Sequence, residues 1–326
     1  MIRDLLRLVR WENLLMTILV LLLMEKLVAV PILDKALFPE VLPHYIILLI
    51  CMAIVFIQAG GNVINDYFDI KIDAINRPER LIVSRSISKT TAMLLHQVLS
   101  AIGIVAGLVV AVALRSWSLG LIFLFVPGLL WFYSSSYKRQ FMVGNLIVSL
   151  AAALTPFVIA IANVAYLELH FSDVNGYNVL ADISLTHDIY LSIGIFSVFA
   201  FISTWVREIE KDMQDQEGDR ELECHTMPVK WGEKSTKVFV SLLILVMATM
   251  LCYVNFRLLP YPHGWQSVTT RYLVFGLLIP IACNLYVLWK AKISSDYRNA
   301  QLLTKAIMVI GMFYSVVFAI SYAAMA

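Results

Sequence analysis

Nine apolar stretches, each long enough or nearly long enough to cross a lipid bilayer, constrain this chain more than any other feature of its sequence. They run over Trp11 to Val30, Tyr45 to Ile64, Thr91 to Leu114, Ser118 to Tyr133, Met142 to Asn163, Ile189 to Val206, Val238 to Phe256, Tyr272 to Trp289 and Leu302 to Ala324. A helix of about 20 apolar residues spans the hydrocarbon core, and in lipid it satisfies every backbone N–H and C=O within itself. The chain is therefore read as an all-α integral membrane protein, a single domain over residues 1–326 with no room for a sizeable soluble unit. Composition agrees, with 60% hydrophobic and only 15% charged residues, against roughly 25% charged in soluble domains. Arg3, Arg7 and Arg10 before the apolar run Leu14 to Leu23 imitate a secretory signal, but no small-x-small cleavage site follows, so this segment is read as a retained first helix.

The Lys and Arg residues orient the spans. With the amino terminus inside and the carboxyl terminus outside, twenty of the 25 basic residues fall on the cytoplasmic side of a cell (inner) membrane and five on the other. These basic residues are spread among loops and never interleave with exposed aromatics, so nucleic acid is not an expected partner. Cys51, Cys252 and Cys283 lie in apolar runs and Cys224 in a polar segment without any C-x-x-C pair, which points to buried thiols rather than disulfides or zinc ligands. No glycine-rich phosphate loop occurs, and the histidines are scattered singly apart from His225.

The charge that remains is concentrated. After the second apolar stretch comes Asn65-Asp66-Tyr67-Phe68-Asp69-Ile70-Lys71-Ile72-Asp73, and after the sixth Arg207-Glu208-Ile209-Glu210-Lys211-Asp212-Met213-Gln214-Asp215-Gln216-Glu217-Gly218-Asp219. If each helix continues, Asn65, Asp69 and Asp73 project from nearly one face, and so do Asp212, Asp215 and Asp219. Oxygen ligands of this kind suit Mg2+, which is commonly held by one or two carboxylates together with substrate phosphates. Two such faces on one side of a membrane predict two Mg2+ ions gripping a polyphosphate, and within a bilayer that polyphosphate is a lipid diphosphate. Arg77 and Arg80 after the first cluster, Arg207 and Lys211 in the second, and Lys138 and Arg139 after the fourth stretch are placed to complete the clamp. The ordinary alternative for each is a solvated loop carboxylate or a positive-inside anchor.

Together these strings resemble the two aspartate-rich motifs of the UbiA-type intramembrane prenyltransferases, over nearly the whole chain. Asn76-Arg77-Pro78 and Glu217-Gly218-Asp219, with Tyr133, Asn145 and Asn13, are most similar to the digeranylgeranylglyceryl phosphate synthase branch. That resemblance implies nine transmembrane helices around a central cavity, capped by the two acidic cytoplasmic loops. It implies metal ligation by Asn65, Asp69, Asp73, Asp212, Asp215 and Asp219, with Asp69 and Asp215 essential to catalysis. Substrate contacts would come from Asn13, Arg77, Arg80, Tyr133, Lys138, Arg139, Asn145, Arg207, Lys211 and His225. The chain departs from the branch at Arg80-Leu81-Ile82-Val83-Ser84-Arg85, where two prolines and a glycine are missing, and at Glu223 and His225, which replace a glycine and a basic residue.

The expected function is Mg2+-dependent transfer of an isoprenoid group from an allylic diphosphate to a lipophilic acceptor. A hydroxyl of a prenylated glycerol phosphate is the first choice of acceptor, and an aromatic ring of quinone biosynthesis the second. A cation transporter is the alternative from another class, disfavoured because transport calls for carboxylates in mid-span rather than at helix exits.

Overall fold

The computed structural model describes residues 2–36, 38, 42–76, 78, 81–171, 183–258 and 264–323. A short helix α1 (Ile2–Val9) leads into α2 (Trp11–Met24), which passes through a π turn at Glu25–Ala29 into α3 (Val30–Lys35). The long α4 (His44–Phe68) continues into the short α5 (Ile70–Asn76), followed by α6 (Lys89–Ala113) and α7 (Trp117–Ser135). After them come α8 (Val143–Phe171), α9 (Ile183–Gln214), the short α10 (Gln216–Glu221) and α11 (Met227–Tyr253). The last elements are α12 (Val268–Arg271), α13 (Ile279–Lys290) and α14 (Ser294–Ala323). Among the described residues nine helical segments are long and apolar enough to span a membrane, and no strand forms beyond an isolated bridge between Val83 and Ile87.

Local signals start these helices where the chain turns. Ser88 caps α6 by accepting from the Thr91 amide at 3.1 Å, and Ser116 caps α7 by accepting from Leu119 at 3.4 Å. Pro127 and Pro156 lie inside α7 and α8, which membrane helices tolerate because neighbouring groups take up the freed carbonyls. Small residues let helices approach closely: a Cβ on Gly103 of α6 would stand 2.8 Å from the Ala53 carbonyl oxygen of α4.

Hydropathy located every span but not its ends. The helix of the sixth span runs to Gln214, past Val206, and that of the seventh begins at Met227, ahead of Val238, with a kink where Gly232 adopts φ 79°. The ends missed are those carrying charge, because a helix persists into the headgroup region after its side chains have become polar. The four cysteines are free, as expected, but Cys224 is the only one fully buried and Cys283 is exposed on α13. An apolar neighbourhood in a membrane chain means contact with lipid as readily as with protein.

Candidate active site

Both acidic clusters lie where a long helix breaks and a short one restarts. Asp69 ends α4 with φ −86° and ψ −2°, and Asp215 separates α9 from α10 with φ −95° and ψ 9°. The helical ladder bridges each break, since the Asp69 amide donates to Asn65 O at 3.0 Å and the Asp73 amide to Asp69 O at 2.8 Å. The second turn repeats this, with Asp215 donating to Lys211 O at 2.9 Å and Asp219 to Asp215 O at 3.1 Å. The expected one-faced spacing therefore survives a bend in each helix. The short helices α5 and α10 then pack against each other, bringing the two motifs together at one end of the bundle.

A third segment ties them. The turn between α7 and α8 contains a 3-10 element, Tyr137–Arg139. From it the Lys138 ammonium meets Asp69 Oδ1, and the Arg139 carbonyl accepts from the His225 amide at 2.8 Å. In the first turn of α8 Asn145 Nδ2 donates to Asp212 Oδ2 at 2.9 Å. Within the motifs Asn65 Nδ2 donates to Asp69 Oδ2 at 2.8 Å, and Thr226 Oγ1 donates to Asp219 Oδ2 at 3.1 Å. Burial pushes the Asp219 carboxyl up to about 6 against the Thr226 hydrogen bond, and the charge of Asp215 adds to the rise. Burial, reinforced by the charges of Lys211 and Arg139, pushes the Lys138 ammonium down to about 7, and the Asp66 carboxylate works in the other direction.

The remaining expected residues fall around this core. Asp73 is half-buried on α5, and Tyr133 is half-buried in the last turn of α7. Asn13, in the first turn of α2, accepts at its carbonyl from Thr17 Oγ1 at 3.0 Å. Arg207 and Lys211 share Glu208, at 2.6 and 3.8 Å. Arg139 and His225 are exposed, and Arg77 and Arg80 lie outside the described residues. Sequence reasoning gave no role to Glu208, to Thr226, or to the pair in which Arg10 Nη2 donates to Asp66 Oδ1 at 2.8 Å. Glu208 was legible as the acid between two cations one helical turn apart; Arg10 and Asp66, 56 positions distant, were not.

Among the described residues no three His, Cys, Asp or Glu side chains converge closely enough to enclose a metal by themselves. The donor set nonetheless fits Mg2+. Every candidate ligand is a carboxylate or amide oxygen, as a hard cation requires, and a site of one or two carboxylates completed by phosphate oxygens needs no all-protein cage.

This arrangement has relatives. Residues 14–317 match the family model for the UbiA prenyltransferase family. The chain belongs to that family. Among curated UbiA relatives, the digeranylgeranylglyceryl phosphate synthase of Methanobrevibacter smithii is 32% identical over 200 residues, covering 61% of this chain and 63% of that one. The synthase of the same name from Methanococcus vannielii is 31% identical over 253 residues, 78% of this chain and 73% of that one. The same fold occurs in a solved structure of a digeranylgeranylglyceryl phosphate synthase, with TM-score 0.60, 24% identity and 99% of both chains covered. It also occurs in a UbiA homologue from Archaeoglobus fulgidus bound to DMAPP and Mg2+, with TM-score 0.55 and 15% identity over 96% of this chain and 99% of that one.

Proposed function

We propose that this membrane prenyltransferase moves an isoprenoid group from an allylic diphosphate to a hydroxyl of a prenylated glycerol phosphate, releasing diphosphate. The observation that carries the reading is the meeting of two carboxylate-bearing helix breaks, bridged by the Lys138–Asn145 segment, at one end of an apolar bundle. The curated relatives named as synthases support the acceptor, and the DMAPP and Mg2+ in the Archaeoglobus homologue support the donor and the metal.

Asn65, Asp69 and Asp73 would hold one Mg2+, and Asp212, Asp215 and Asp219 a second. When bound, the ions supply positive charge that stabilises the departing diphosphate. Lys138, Arg139, Arg207, Lys211, Arg77 and Arg80 add hydrogen-bonding cations around it, Asn13, Tyr133, Asn145 and His225 line the same end, and the apolar interior keeps water from the allylic cation. A nearby carboxylate would take the acceptor's proton. Among the described residues, the carboxyl groups fully enclosed within spans are Glu25 and Glu210. Each is tied to neutral partners, Asn163 for the first and Asn284 with Thr304 for the second, so neither begins the line of ion ligands a transporter needs.

The deciding experiment presents the purified protein with labelled geranylgeranyl diphosphate, Mg2+, and in parallel prenylated glycerol phosphate, hydroxybenzoate and naphthoate. The expected result is product with the glycerol phosphate alone. Product only with an aromatic acceptor would move the protein to quinone chemistry, and no diphosphate release with any acceptor would remove the reading. In this assignment the acidic end faces the cytoplasm. Cysteines introduced at Ser84 and Gln216 in an otherwise cysteine-free variant should both be labelled from that side only, and one at Asn175 from the other; opposite labelling of Ser84 and Gln216 would separate the two motifs.

A further inference from the structure

The proposed reaction leaves α1 without a role, yet only part of its single apolar face is covered. At 100° per residue Leu8, Leu5, Ile2 and Leu6 share one apolar arc, opposite Asp4, Arg3 and Arg7. At one edge of that arc Leu8 is fully buried and packs in a cluster with Val63 of α4, Ile82 and Val83 of the following loop, and Ala92 of α6. The rest is uncovered, with Ile2, Leu5 and Leu6 73%, 39% and 44% exposed. Arg3 and Arg7 are exposed on the polar side, and Trp11, also exposed, stands at the head of α2. A short helix of this pattern at the mouth of a membrane span lies in the plane of the headgroups, with its apolar face in the acyl boundary and its arginines on anionic lipid.

Inward, α1 is fastened to the first acidic turn. Asn62 Nδ2 of α4 donates to the Val9 carbonyl at 2.9 Å. Arg10, which joins α1 to α2 in a left-handed backbone conformation at φ 56°, donates to Asp66 Oδ1 at 2.8 Å. Asp66 is next in the chain to Asn65, the buried side chain that holds Asp69. We infer that α1 is seated on an anionic bilayer surface and that Arg10 is a positioning residue, passing that seat to Asp66 and the first acidic turn, so that turnover rises with the negative charge of the surrounding lipid. The turnover half rests on the proposed prenyl transfer; the seating half does not.

The test uses the full chain with Cys51, Cys224, Cys252 and Cys283 replaced, reconstituted into phosphatidylcholine vesicles with and without phosphatidylglycerol. A spin label at Leu6 should meet oxygen dissolved in lipid rather than a water-soluble nickel reagent, and should sit deeper when phosphatidylglycerol is present. A label at Ile75, exposed on α5, should lose mobility with phosphatidylglycerol, and the ratio of turnover in the two lipids should be several-fold, up to about fivefold for each arginine. Arg3→Gln with Arg7→Gln should bring that ratio close to one. Arg10→Gln should leave the Leu6 label at the same depth while the Ile75 label ceases to respond, a separation that a merely stabilising Arg10 would not produce. A Leu6 label in water in both lipids overturns the seat, as does one shielded from both reagents by a second copy of the chain. An Ile75 label indifferent to lipid in the unaltered sequence overturns the coupling. Absence of turnover in every lipid, with both labels responding, counts against the reaction and leaves the seat and coupling supported.

Discussion

At Asp69 and at Asp215 the same backbone event, a long helix bending at an aspartate and restarting as a short one, is held in place by different chemistry. The first turn is held by charge: Asp69 accepts from the Asn65 amide and contacts the Lys138 ammonium, while Asp66 pairs with Arg10. The second is held by neutral groups, with Asp212 on the Asn145 amide and Asp219 on the Thr226 hydroxyl. A carboxylate held by an amide or hydroxyl keeps its attraction for a cation, whereas one already in contact with an ammonium must exchange partners first. The comparison teaches that the two halves of the site are not equivalent. On the proposed assignment Asp212 and Asp219 would take a metal at once, whereas Asp69 would have to trade Lys138 for metal and diphosphate.

The largest effect should come from removing a charge at either break. Asp69→Asn and Asp215→Asn should each lower transfer by roughly a hundredfold or more while the protein still inserts and purifies, because on the proposed assignment a metal ligand would be lost with little change of shape. Near-normal turnover in either would return that aspartate to the role of a solvated turn. The next effect separates the halves. Lys138→Met should raise KM for the diphosphate and also lower the Mg2+ concentration needed for half-maximal rate, since Asp69 no longer has a competing cation. Asn145→Ala should instead raise the Mg2+ requirement, on the order of ten- to a hundredfold for a lost orienting partner. If both variants shift the Mg2+ requirement in the same direction, the asymmetry is wrong.

Two buried carboxyls extend the contrast to stability. Glu210 is completely enclosed and accepts from Asn284 at 3.1 Å and Thr304 at 2.7 Å, linking α9, α13 and α14. Glu25 is equally enclosed but has one bond, from Asn163 at 2.7 Å, and its other oxygen finds no partner among the described residues. Thr304→Val should therefore cost about 1–3 kcal/mol by leaving a carboxyl oxygen unsatisfied, read as a drop in thermal midpoint in detergent. Glu25→Gln should cost less than 1 kcal/mol or stabilise, because an orphaned oxygen is exchanged for a neutral amide. The smallest effect is expected at His225. Its exposed side chain stands where the family branch has a basic residue, but the bond that places it is made by its backbone amide, so His225→Ala should change kcat/KM by less than about threefold. A larger loss across the pH profile would restore the imidazole to the substrate clamp.

Much of this was legible in the one-dimensional chain, for reasons of period and polarity. Apolar runs announce spans because lipid admits few other ways to satisfy a backbone, and carboxylates four residues apart share a helix face whatever surrounds them. The turn at Leu81–Ser88 shows where such reading stops. Its sequence holds none of the prolines and glycine that the family resemblance leads one to expect, yet the turn forms, with Ser84 accepting a left-handed φ of 76° and its amide donating to Ile87 O at 2.8 Å. Val83 of this turn is buried in the cluster with Leu8, Val63 and Ala92.

Sequence by itself determined that the described residues hold nine helices long and apolar enough to span a membrane, that carboxylates gather at the exits of the second and sixth of them, and which family the chain belongs to. Each of these depends on spacing along a single helix, which the order of residues specifies directly. Only the tertiary structure decided which partner each carboxylate keeps. Lys138 reaches Asp69, Asn145 reaches Asp212 and Arg10 reaches Asp66 across 56 to 69 positions of chain, and such contacts depend on how helices are laid side by side. In a bundle of nine spans whose faces are nearly uniformly apolar, that arrangement is chosen by small residues at helix crossings and by scattered buried polar pairs, none of which has a periodic signature.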